Sequence, residues 1–132
     1  MKTVRSKPAK DSATQLADFI LPSHANTLGT VFGGKILEMV DKAAGVCAMR
    51  HSGKPCVTVA MDRVEFLFPI RVGDLIIVEA RAREVGRTSM KIGVDVYAED
   101  VKRGRRTRTN SCQVTMVAVD SRGRPSPVPR LK

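Results

Sequence analysis

The stretch Gly33-Gly-Lys-Ile-Leu-Glu-Met-Val-Asp-Lys-Ala-Ala-Gly-Val-Cys-Ala-Met-Arg-His51 decides how the chain is organised, because no other part of the 132 residues reads as a long helix. Ile36, Leu37, Met39, Val40, Ala43, Ala44, Val46, Cys47 and Ala48 recur at helical spacing and cover most of its circumference. A helix this apolar is expected to be buried, with Ala43, Ala44 and Gly45 letting a neighbour approach closely. Gly53 and Pro55 predict its end.

Outward from the helix, the pattern changes to a period of two. On the N-terminal side lie a short apolar stretch, Phe19-Ile20-Leu21, and a polar loop, His24-Ala-Asn-Thr-Leu-Gly-Thr30. On the C-terminal side, Cys56 to Phe66 alternates and is rich in Val. Ile76, Val78, Ala80 and Ala82 face one way, while Glu79, Arg81 and Arg83 face the other. After the turn at Val85-Gly86-Arg87, Met90, Ile92, Val94, Val96 and Ala98 point inward and Lys91, Asp95, Tyr97 and Glu99 outward. Cys112, Val114, Met116 and Ala118 repeat the alternation. One strand, one buried helix and four further strands predict an α+β domain, an antiparallel sheet wrapped around a central helix. Such a sheet has one face and two edges left over, and a partner subunit is expected to cover them.

The charge is unevenly placed. With 23 Lys+Arg against 13 Asp+Glu, the formal net charge is +10 and the pI about 10.2. Residues 1–15 carry +3 and residues 101–132 carry +8, so the body between them is close to neutral at −1. The expected organisation is a disordered basic segment over 1–15, one domain over 16–120 and a Pro/Arg-rich tail over 121–132. A hydrophobic fraction of 42% with a mean hydropathy of −0.12 excludes both a disordered basic protein and a membrane span. No secretory leader is legible at the N-terminus, and the three cysteines, Cys47, Cys56 and Cys112, sit apart inside apolar patterns. A cytoplasmic protein without disulfides is expected. His24 and His51 have no partner at ligand spacing, so no metal is expected either.

One residue of the helix breaks its pattern. At about 100° per residue, Glu38 and Lys42 join Lys35 in a polar stripe, whereas Asp41 leans towards Leu37, Ala44 and Ala48. Asp is a poor mid-helix residue, and no cation stands at its i±3 or i±4 positions. Two readings follow: a carboxylate held by a distant amide or by an Arg across a subunit interface, or one poised as general base or nucleophile. Gly33-Gly34, two turns earlier, offers free N–H groups at the positive end of the helix dipole, suited to an anion or a developing oxyanion. Asp62 and Glu65 are rival carboxylates, read as sheet-surface ion pairs with Arg63.

The ordered set Asn26-x-x-Gly29-x-x-Phe32-Gly33-Gly34, the helix Asp41, Phe66-Leu-Phe-Pro69-Ile-Arg-Val-Gly73-Asp74 and Gly86-Arg87-Thr88-Ser89 resembles the hotdog-fold acyl-CoA thioesterases. The likeness is to the YciA-like and cytosolic acyl-CoA hydrolase group and covers about residues 17–119. It implies a hotdog fold and hydrolysis of fatty acyl-CoA to a free acid and CoA. Asp41 matches the carboxylate that activates water, and Asn26 matches the asparagine that positions it from the other subunit. The amides of Gly33 and Gly34 match the thioester-oxygen donors, and Arg87, Thr88 and Ser89 match the turn that lies along CoA. Homodimers with interfacial active sites, assembled as trimers of dimers, are implied too. His24, Leu28 and the long basic ends depart from the pattern.

Two further expectations come from residue chemistry. Phe66, Leu67 and Pro69, with Phe68, are candidates for an acyl tunnel or for plain core. Arg103, Arg105 and Arg106 are candidates to join Arg87 in clamping the phosphates of CoA, itself a compact polyanion. CoA belongs to the substrate, and no separate cofactor is expected. The alternatives are a non-catalytic acyl-CoA-sensing hotdog domain and a basic nucleic-acid-binding module built on Lys102-Arg-Gly-Arg-Arg-Thr-Arg108. The latter is disfavoured because one Tyr, four Phe and no Trp, none interleaved with the basic run, provide poorly for base stacking.

Overall fold

The computed structural model describes residues 6–132. The elements in chain order are β1 (Ser6–Lys7), a 3-10 turn (Ala9–Asp11), β2 (Thr14–Phe19), a 3-10 turn (Pro22–His24), α1 (Gly33–Ser52), β3 (Cys56–Asp62), β4 (Leu75–Val85), β5 (Ser89–Asp100), β6 (Arg105–Ala118) and β7 (Arg130–Leu131). Five strands form one antiparallel sheet in the order β2-β4-β5-β6-β3, while β1 and β7 pair in parallel at a separate edge. The predicted α+β architecture, one long helix against an antiparallel sheet, is the one found.

The helix earns its place by its buried stripe. Ile36, Met39, Val40, Ala43, Ala44, Cys47, Ala48 and His51 are buried, at spacings of three and four residues. They meet Ile76, Val78, Ala80, Met90, Ile92, Val94, Val96, Val114 and Met116 from the inner face of the sheet. Full burial of each branched chain is worth about 1.5–3 kcal/mol, so this one interface dominates the stability of the fold. The helix is not enclosed on all sides: Leu37 and Val46 are half-buried, and Met49 is exposed. Gly53, at φ +68°, ends the helix in the left-handed conformation and donates its N–H to the Met49 carbonyl at 2.8 Å.

Two local departures follow from backbone geometry. The strand expected over Cys56 to Phe66 stops at Asp62, because Arg63 adopts φ +57° and turns the chain out of the sheet. Within β3 a bulge at Val59, between the pairs of Thr58 and Ala60 with β6, switches the inward face. Cys56 and Thr58 face the helix before it and Met61 does so after it, so the simple alternation read from the sequence is broken.

The ends also depart from expectation. Residues 6–15, expected to lack structure, carry β1, a 3-10 turn and the start of β2; Met1 to Arg5 lie outside the described residues. Ser12 and Thr14 are buried, and Arg50 of the helix donates to the Ala13 carbonyl and the Thr14 hydroxyl. The Pro/Arg-rich tail is pinned rather than free: β7 pairs with β1, and His51 Nε2 lies 2.7 Å from the Pro129 carbonyl oxygen. His51 is therefore a buried contact to the tail. Among the described residues, no helix is long and apolar enough to cross a membrane.

Candidate active site

Asp41 stands on the open side of α1, and the strand beside it supplies its partner. Thr58 Oγ1 donates to Asp41 Oδ1 at 2.5 Å, bridging the middle of the helix to β3. This bond selects one rotamer of the carboxylate and leaves the other oxygen free to accept a proton. In the single chain Asp41 is exposed, and so are Val57 and Val59 on β3, at 47% and 60%. Strand β3 is an edge of the sheet, so a carboxylate, an unpaired strand edge and an apolar surface occur together.

The N-terminus of α1 is open in the way the paired glycines suggest. Phe32 at the N-cap has no side-chain hydrogen bond to the helix, and neither the Gly33 nor the Gly34 N–H has an acceptor among the described residues. A Cβ on Gly34 would meet nothing within 4 Å, whereas one on Gly33 would come within 3.3 Å of the Phe66 ring. Phe66 thus lies against the helix start, half-exposed, with Leu67 beside it donating its N–H to the Thr109 carbonyl at 2.9 Å. Phe66, Leu67, Phe68 and Pro69 form an exposed apolar rim in the single chain and enclose no tunnel by themselves. From Gly34 to Asp41 the helix axis rises about 10 Å.

Asn26 is fixed by its own loop. Its Oδ1 accepts the N–H groups of Leu28 at 2.9 Å and Thr30 at 3.2 Å. Two backbone donors at one atom assign the amide orientation and turn Nδ2 outward, where it donates to Thr30 Oγ1 at 3.0 Å. One Nδ2 hydrogen remains for another acceptor. Among the described residues no hydrogen bond joins Asn26 to Asp41. The loop keeps Leu28 80% exposed at its tip, and His24 accepts the Leu21 N–H through Nδ1 at 3.0 Å.

The candidate CoA residues divide into two groups. Arg87, Thr88 and Ser89 form the tight β4–β5 turn, with Gly86 donating to the Ser89 carbonyl at 2.8 Å. Arg103, Arg105 and Arg106 lie at or beside the β5–β6 hairpin, at the opposite end of the 12-residue strand β5. That length is about 35–40 Å, so within a single chain the two groups stand far apart. Arg103 is also paired with Asp100 at 3.6 Å, and Arg106 with Glu99 at 3.3 Å while stacked over Tyr97. Arg105, with Arg71 and Arg103, lines a groove of about 490 Å³ beside Phe68 and Pro69.

Thr58, the hydrogen-bond partner of Asp41, is the candidate residue that pattern reading missed. Its signal is a hydroxyl on the helix-facing side of an otherwise apolar strand, one helix width from an unpaired Asp. The rival carboxylates Asp62 and Glu65 form no ion pair with Arg63 among the described residues, so that expectation is not met. No three His, Cys, Asp or Glu side chains converge as metal ligands among the described residues.

Comparison with known proteins places the site in a family. The chain is 42% identical over 111 residues to the VdlD protein of Helicobacter pylori, covering 84% of this chain and 63% of that one. The chain thus spans less than two thirds of that relative. It is 30% identical over 132 residues to the acyl-CoA thioester hydrolase YciA of Escherichia coli, covering 98% of each. An apo-hexameric acyl-CoA thioesterase superposes with a TM-score of 0.94 at 40% identity, over 98% of this chain and 83% of the other. The acyl-CoA hydrolase of Staphylococcus aureus, solved with butyryl coenzyme A and coenzyme A, gives 0.92 at 31% identity over 96% and 77%. Structures of that enzyme also exist with an asparagine, an aspartate and a threonine each replaced by alanine. Those three positions stand in the order and at the spacings of Asn26, Asp41 and Thr58. The thioesterase superfamily model matches residues 28–104, and with relatives this similar over nearly the whole chain, the protein belongs to the thioesterase superfamily of hotdog-fold proteins.

Proposed function

We propose that this chain hydrolyses acyl-CoA thioesters to a free carboxylic acid and CoA, with Asp41 as general base. The observation that carries the reading is the Thr58–Asp41 hydrogen bond facing an open, apolar edge of the fold. A thioester carbonyl lacks amide resonance, so one activated water and one oxyanion site are sufficient machinery. In this reading the free Asp41 oxygen takes a proton from water, and the hydroxide adds to the thioester carbon. The Gly33 and Gly34 N–H groups hold the resulting oxyanion, and the C–S bond breaks to release the CoA thiolate, which is then protonated. Names of relatives and of similar structures support the reaction class.

The site takes residues from two protomers. Asn26 and Asp41 are each ordered by their own chain yet not joined within it, and β3 presents an unpaired edge with Val57 and Val59 exposed. A second copy seated on this edge brings the partner's Asn26 loop to Asp41, buries the apolar surface and closes Phe66, Leu67 and Pro69 around the acyl chain. The structural neighbour described as hexameric supports a trimer of such dimers. Arg87, Thr88 and Ser89 lie along the CoA moiety. Three free thiols suit a reducing, cytoplasmic setting.

Incubation of the purified protein with butyryl-CoA, with CoA release followed by a thiol reagent, tests the proposal. Continuous release is expected; binding without release would make the protein an acyl-CoA sensor instead.

A further inference from the structure

The segment after β6 is built as a strap, and its sequence explains how. Pro125, Pro127 and Pro129 alternate with Ser126 and Val128, so only the latter two carry N–H groups. Both N–H groups are spent on one side: Ser126 donates to the Ala118 carbonyl at 2.8 Å, and Val128 to the Arg87 carbonyl at 2.9 Å. The other side of the strap presents carbonyls, and His51 at the end of α1 and Lys54 just beyond it supply donors to them. Lys54 Nζ reaches the Pro127 oxygen at 2.5 Å and the Ser126 hydroxyl at 2.8 Å, and His51 Nε2 meets the Pro129 oxygen at 2.7 Å. A proline at each position facing the helix leaves no N–H unpaired there, which is the physical use of the alternation.

The strap is anchored at both ends. Asp120 Oδ1 accepts the Arg122 and Arg124 N–H groups at 2.8 and 3.0 Å, organising the turn that starts it. Beyond it, Arg130 and Leu131 pair with Ser6 and Lys7. Buried His51, 1% exposed, must carry its proton on Nε2 to serve the Pro129 carbonyl when neutral, and its Nδ1 has no partner.

We propose that this strap positions the Gly86–Ser89 turn for the nucleotide end of CoA, with Val128, His51 and Lys54 as positioning residues. Two carbonyls of the turn accept bonds from the segment around and after the end of β6. That of Thr88 is taken by the Ala118 N–H at 3.1 Å and that of Arg87 by Val128 alone. Gly86 leaves the turn no slack on its inner side, since a Cβ there would lie 2.9 Å from Ser89 Oγ. The strap therefore holds the backbone of Arg87, from which the guanidinium projects, through a bond made at neither Asp41 nor the helix N-terminus. The inference rests on the proposal that this turn lies along CoA.

The test compares butyryl-CoA with butyryl-pantetheine, which lacks the nucleotide and its phosphates. Val128→Pro deletes the single N–H to Arg87 and is expected to raise KM for butyryl-CoA about fivefold, the value of one hydrogen bond. KM for butyryl-pantetheine should move less than twofold. His51→Leu should do the same by leaving the Pro129 carbonyl unpaired, and His51→Gln, which keeps a donor, should restore most of the loss. Equal changes on both substrates, or none, would overturn the strap's role. If Arg87→Ala leaves KM for butyryl-CoA unchanged, the assignment of the turn itself fails, and the inference falls with it.

Discussion

The Thr58 hydroxyl and the Asp41 carboxylate, 2.5 Å apart, connect the edge strand of the sheet to the middle of α1. Thr58 has one proton to donate, and it goes to Asp41 rather than to the Met116 sulfur 3.3 Å away, a far weaker acceptor. Thr58→Ala should leave KM within about twofold and lower kcat about tenfold, as expected for loss of one charge-assisted bond that orients the base. Thr58→Ser should recover most of the rate. An Ala variant as fast as the parent would mean that Asp41 needs no such orientation.

Under the proposed shared site, activity depends on assembly at the exposed edge of β3. Val59→Asp places a charge on the bulged, solvent-facing residue without disturbing the helix-facing side of the strand. Light scattering should show the variant dissociated, and its hydrolysis should fall at least tenfold with the separation of Asn26 from Asp41. An active monomer would contradict the shared site.

The fold was more legible than the site, for physical reasons. Alternation in β4, β5 and β6 reports burial on one face of a sheet, and the buried residues Ile76, Val78, Ile92, Val94 and Val114 are those the period of two selects. In β3 that code fails: the bulge at Val59 shifts the inward face, and the outward face is itself apolar. Asp41 stood out because it is a misfit in an apolar helix. Thr58 did not, because threonine is an ordinary strand residue and its role exists only through a contact 17 positions away. The separation of Arg87 from Arg103 and Arg106 along β5 was not legible, because charge counts carry no information on which end of a strand a hairpin occupies. The prolines near the C-terminus indicated only a Pro/Arg-rich tail, whereas their alternation matches a two-sided hydrogen-bonding requirement.

The thiols are predicted to be inert in the native protein. Burial pushes the Cys112 thiol up to about 11, helped by the carboxylates of Asp95 and Asp62, and burial also raises Cys47 and Cys56 above the usual thiol range. At pH 7.5, iodoacetamide should leave Cys47 and Cys112 unmodified until the protein is denatured, when all three react. Rapid native labelling of Cys112 would contradict its burial.

Acid should loosen two anchors. Lys35 hydrogen-bonds Asp18 and, with the Phe19 N–H, holds its carboxyl below the ordinary value of 3.8. The Arg124 and Arg122 N–H groups do the same for Asp120. Because both folded-state values lie below the unfolded ones, their stabilisation is fully present above about pH 4–5 and is lost as the pH falls through the folded values. Asp120→Ala should therefore lower Tm at pH 7, and the gap from the parent should shrink towards pH 2–3. A gap that stays constant across that range would show that the Asp120 charge does not hold the turn.

The central claim is that the Asp41 carboxylate activates the water that cleaves the thioester, and Asp41→Asn measures it most directly. The amide keeps the shape and the Thr58 contact but cannot take a proton. CoA release from butyryl-CoA is expected to fall by at least about a hundredfold, the usual contribution of a general base, with binding of butyryl-CoA retained. Release at the parent rate, at equal protein and pH, would contradict the account.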